Sequence, residues 1–69
     1  MLHPIRRIRL EQGRLQFVVA AESGLPASRL SLIETGRAAP RPEELERIAA
    51  ALGVSVDAIA PGGRVGAAA

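Results

Sequence analysis

The stretch QFVVAAESGLPASRLSLIE, residues 16–34, decides the fold. Val19, Ala20 and Ser23 are spaced i, i+1, i+4, which sets them on one face of a helix from about Gln16 to Ser23. Gly24 stops that helix, because glycine accepts the left-handed conformation that follows a helix end. A second helix then runs from Pro26 or Ala27 to Glu34, with Leu30, Ile33 and the preceding Leu25 as its buried stripe. Thr35-Gly36 closes it. Ala20 stands where the two helices cross closely, and a larger side chain would push them apart. Gly24 permits the backbone turn that aims the second helix outward.

Outward from this pair the periodicity stays helical. Ile5, Ile8 and Arg9 share one face of a first helix that Gly13 ends. Residues 37–41 read as a loop. Pro42 sits where a helix starts, since its missing N–H is no loss in the first turn. Glu43, Glu44 and Glu46 follow, and negative charge near a helix N-terminus is favourable. Leu45, Ile48, Ala49 and Leu52 form the i, i+3, i+4, i+7 face of this fourth helix, which Gly53 terminates. Ser55 is a capping residue for a short fifth helix carrying Val56, Asp57 and Ile59. No strict polar–apolar alternation supports a strand. The expectation is an all-α fold, five short helices around one core over residues 1–60, with a flexible C-terminal tail over 61–69.

Composition narrows the function. A chain of 69 residues buries about 60% of the surface its unfolded form exposes, which argues against a second domain and a deep substrate cavity. With no Cys and one His, neither a disulfide nor a zinc site can be assembled, and no cofactor is expected. No apolar run approaches the ~18 residues of a membrane span. Met1-Leu2-His3-Pro4 lacks the apolar core of a signal peptide, so the chain reads as cytoplasmic. His3 reads as a solvated imidazole near a mobile end. The Gly-rich segment after Pro61 has no P-loop Lys, so neither feature suggests an enzyme. All nine basic residues are Arg, consistent with a GC-rich coding bias. Residues 1–37 hold six Arg against three Glu, a balance of +3; residues 38–69 hold three Arg against four acids, a balance of −1. The first half is the better candidate for an anionic partner.

Two helices joined by a glycine-bearing turn form the helix-turn-helix pattern. At these residues the chain resembles the Cro/phage-repressor (XRE) family of DNA-binding domains. The resemblance runs without gaps from about Ile5 to Ile59. It is carried by Gly13, Gln16, Val19-Ala20, Gly24-Leu25, Leu30-Ser31, Ile33-Glu34, Gly36, Pro40, Leu45, Ile48-Ala49, Leu52-Gly53-Val54-Ser55 and Asp57. It implies a compact five-helix, lambda-repressor-like domain. It also implies a transcriptional regulator that binds double-stranded DNA sequence-specifically as a homodimer, with the helix over 27–34 in the major groove. The positions matching the family's base readers are Ala27, Ser28 and Leu32, with Arg29 on the flank. Those matching its phosphate contacts are Gln16, Arg37 and Arg41, with Arg14 beside them. Arg9 and Glu34 match a structural ion pair joining the first and third helices. Val54, Val56 and Ile59 match the dimer surface around the fifth helix.

The chain also departs from the family pattern. Ala27 and Leu32 offer only apolar contact, for example to a thymine methyl, and Ser28 discriminates weakly. Arg29 is the one side chain there able to reach guanine with two hydrogen bonds; otherwise it is a phosphate contact or a surface Arg. Arg14-Leu15 reverses the usual order of an apolar residue then a polar cap, so Leu15 is expected to rotate inward. Pro26 replaces the usual cap of the third helix. Phe17 and Val18 stand where polar residues are usual. Either Phe17 packs into a small core, against the tail or first helix, or these residues form a partner surface. The alternative function is therefore a protein-interaction module or antitoxin-like partner that keeps the fold with weak or no DNA reading.

Overall fold

Five helices form in the order α1 (Pro4–Glu11), α2 (Gln16–Glu22), α3 (Ala27–Glu34), α4 (Pro42–Leu52) and α5 (Val56–Ile59). The structure is a computed structural model that describes residues 2–60, among which there is no strand. The tail expected over 61–69 lies outside the described residues. α2 packs on α3 and α4, α1 on α3, α4 and α5, and α4 on α5. Ile5, Leu30, Ile33, Ile48 and Ile59 are fully enclosed at the centre. Each is the apolar position its helical period assigns.

The α2–α3 turn follows from hydrogen bonding. Ser23 caps α2, and Gly24 takes φ 71°. The Gly24 N–H then donates to the Ala21 carbonyl at 3.1 Å, and the Leu25 N–H to the Ala20 carbonyl at 2.9 Å. These bonds satisfy carbonyls that the helix end would otherwise leave bare. The same pattern closes α3: the Gly36 N–H donates to Ile33 O at 3.1 Å and the Arg37 N–H to Leu32 O at 2.9 Å. Ser23 is buried, and its hydroxyl donates to the Val19 carbonyl at 2.7 Å, so α2 carries no unmet polar group on its inner face. Ala20 is 1% exposed where α2 meets its neighbours, a position where a larger side chain would overpack the core.

Four expectations change. Ile59 is not surface: it is fully buried in the core, where the one turn of α5 packs against α1 and α4. It therefore cannot belong to a dimer surface. Leu15 does not rotate inward; it is 59% exposed at the start of α2, where the extended N-cap backbone directs it away from the core. Phe17 does not fold into a small core, at 63% exposed. His3 is not a free solvated imidazole. It is the N-cap of α1, its Nδ1 accepting the Ile5 N–H at 3.1 Å, and partial burial pulls its pKa down despite the nearby Glu34 carboxylate. Ser55 does stand at the N-cap of α5, but its side chain makes no capping hydrogen bond.

Candidate nucleic-acid interface

α3 is held from inside by two arginine forks, one at each end. At its C-terminal end, Arg9 of α1 donates Nε to Glu34 Oε2 at 2.8 Å and Nη2 to Glu34 Oε1 at 3.1 Å. The same guanidinium gives Nη1 to the Arg14 carbonyl at 2.8 Å, and Gln16 of α2 gives its amide to Glu34 Oε1 at 3.2 Å. Arg9 and Glu34 are both buried, and a paired fork with its remaining donors satisfied is the arrangement that makes buried charge tolerable. At its N-terminal end, Arg29 donates Nε and Nη2 to the two Glu44 oxygens at 3.0 and 2.8 Å, and Nη2 also reaches Ala39 O at 3.2 Å. Glu44 accepts the Arg41 N–H at 2.8 Å as well, closing the N-terminus of α4. The Arg29 fork, then the Arg41 N–H, hold the Glu44 carboxyl down at about 2, against an ordinary 4.5.

The second fork was not readable from periodicity. Glu44 looked like a first-turn acid placed for the helix dipole, and its partner is 15 residues away on another helix. It changes the position of Arg29. The side chain expected on the flank as a guanine reader is folded back against α4, bound at both Nε and Nη2. Arg14 also turns away from the phosphate position. It donates to the Ala51 carbonyl at the end of α4 and pairs with Glu22. Gln12 donates to the adjacent Leu52 carbonyl at 2.8 Å. Two bare carbonyls and the negative end of α4 attract these donors. Gln16, expected on phosphate, is engaged with Glu34.

The outward face of α3 is left open. Ala27, Ser28 and Leu32 are all exposed, and Ser28 and Leu32 are one helical turn apart. Beyond α3, Arg37 and Arg41 are exposed, and among the described residues neither makes an ion pair. Val54 and Val56 are partly buried against the core. The described residues thus present one exposed helix face, on a helix braced at both ends, with two cations outside the ion pairs in the loop that follows it. No helix among them is long and apolar enough to cross a membrane, and no group of three or more His, Cys, Asp or Glu among them could hold a metal ion. A family model described as helix-turn-helix matches residues 5–59, from the first buried residue of α1 to the last of α5. No curated protein matches the chain, and no solved structure does.

Proposed function

The chain belongs to the Cro/repressor (XRE) type of helix-turn-helix family, and from that premise we propose that it is a sequence-specific, double-stranded DNA-binding transcriptional regulator acting as a homodimer in the cytoplasm. α3 enters the major groove with Ala27, Ser28 and Leu32 toward the base edges. The observation that carries this reading is the open face of α3 beside the exposed Arg37 and Arg41, which make no ion pair among the described residues, in a helix pair braced by the Arg9–Glu34 and Arg29–Glu44 forks. Arg37 and Arg41 hold phosphate and set the register without reading sequence. Arg14, Arg29 and Gln16 serve the scaffold. The partly buried Val54 and Val56 remain for the dimer surface, with the exposed Ala58 in place of Ile59. Two α3 helices about one helical turn apart, ~34 Å, meet a palindromic site. Regulation follows from occupancy of such a site near a promoter.

Two variants test the division of labour. Arg37→Ala weakens binding to every duplex by a similar factor and flattens the salt dependence, because it removes a phosphate contact. Ser28→Ala changes which base is preferred at one position of each half-site. Identical behaviour of the two variants across a duplex panel contradicts the assignment. The second reading, a protein-interaction module on the same fold, is favoured by the exposed Leu15 and Phe17. It predicts no duplex affinity at low salt.

A further inference from the structure

A helix leaves the carbonyls of its last turn without partners inside the helix. In α4 these belong to Ala49, Ala50, Ala51 and Leu52. The turn that follows takes the first two. The Val54 N–H donates to Ala49 O at 3.0 Å and the Gly53 N–H to Ala50 O at 3.2 Å. The last two are taken by side chains from the distant α1–α2 turn. Arg14 Nη1 donates to Ala51 O, and Gln12 Nε2 donates to Leu52 O at 2.8 Å. A cation is favourable at the negative end of a helix, which suits arginine to this place.

Arg14 is tied to other elements as well. Its Nη2 pairs with Glu22 at the end of α2. Its N–H donates to the Arg9 carbonyl at 3.0 Å, and its own carbonyl accepts Arg9 Nη1 at 2.8 Å. The same Arg9 guanidinium holds Glu34, the last residue of α3. An unbroken run of hydrogen bonds thus joins the end of α3 to the end of α4. Gly53, Val54 and Val56 follow directly. We propose that Arg14 is a positioning residue. It fixes the corner between α4 and α5, with Val54 and Val56, relative to α3, and so sets which half-site spacing the dimer accepts. The inference rests on the DNA-binding homodimer reading above and adds what fixes its geometry. One base pair more or less between half-sites displaces one from the other by ~3.4 Å and rotates it by about 35°. A corner held at both carbonyls resists that displacement, and a corner released from them follows it.

The test uses the full chain and a palindromic duplex enriched from a random pool. Beside it stand the same duplex with one base pair added or removed between half-sites, and a duplex with a single half-site. Wild type prefers the enriched spacing. Arg14→Met keeps the aliphatic stem and removes the bonds to Ala51 and Glu22. Its affinity for the single half-site stays at the wild-type level. Its preference for the enriched spacing falls about tenfold, an ordinary size for coupling between two sites. Gln12→Ala frees only the Leu52 carbonyl and shifts the preference in the same direction; it decides the matter if Arg14→Met does not fold. A uniform loss on every duplex, or a spacing preference unchanged in the folded variants, overturns the proposal. Wild-type affinity equal for palindrome and single half-site overturns the homodimer reading, and this proposal with it. Absence of wild-type binding to every duplex at about 50 mM salt overturns the DNA reading itself.

Discussion

Glu44 shows how much one residue can reassign. Its carboxylate accepts both nitrogens of the Arg29 fork and the Arg41 N–H, and so removes Arg29 from the surface that would approach DNA. Its lowered pKa, about 2 against an ordinary 4.5, carries a sign. The folded state prefers the charged carboxylate. The stability this contributes is fully present above about pH 4.5 and is lost as the pH falls through about 2. Glu44→Gln removes that titration and leaves the Arg29 guanidinium half-paired. The variant should be less stable than wild type at pH 7, and the gap should close as both are titrated toward pH 2, read as thermal midpoints across the range. Curves that stay parallel over that range would show that the Arg29–Glu44 fork does not hold in solution. The Arg9–Glu34 fork is the more deeply buried of the two, and there a residue-by-residue resemblance did indicate the partners. Residue-scale reading failed where a side chain had two possible partners and only the tertiary structure decides between them. Arg14 and Arg29 are both of this kind.

At the scale of the element, the five helices and their glycine stops were legible. Each is written in local spacing and in a residue that tolerates positive φ, such as Gly24 at 71°. α2 ends at Glu22 with Ser23 as its cap, one residue short of the expected end. What local pattern could not supply was the direction of side chains at helix starts. Leu15 was expected to turn inward for want of a polar cap, yet the extended backbone at φ −79°, ψ 145° sends it outward. His3 caps α1 although imidazole is an uncommon cap, because its Nδ1 accepts the N–H two residues on. α2 therefore begins without a side-chain cap and with a large apolar group in water. Leu15→Ser supplies the missing acceptor at a backbone conformation suited to it. The substitution should stabilise the protein by about 1 kcal/mol. That corresponds to about 4–8 °C in thermal midpoint for a domain of this size. A fall in the midpoint would mean that Leu15 is packed rather than exposed.

For the whole molecule, the sequence arithmetic of charge overstated the cations available to DNA. The excess of +3 over residues 1–37 is real, but Arg9, Arg14 and Arg29 are each turned to a carboxylate within the fold. Arg37 and Arg41 are left at the proposed surface, four guanidinium groups in a dimer. Log K against log salt for such a dimer should have a slope of about −3.6. A slope near −7 would mean that Arg14 and Arg29 leave their carboxylates on binding. So few phosphate contacts also make one protomer a weak binder, and affinity should depend on the dimer. Of the expected interface, the helix that faces outward was legible in the sequence. Which of its arginines are free was not, because ion pairs between helices leave no periodic trace. The central claim, that α3 reads duplex DNA as one of a symmetric pair, is tested most directly by selecting bound duplexes from a random pool with the full chain. The account predicts an enriched palindrome with half-site centres about 10 base pairs apart. A pool that emerges without enrichment, or with a single unpaired half-site, would contradict it.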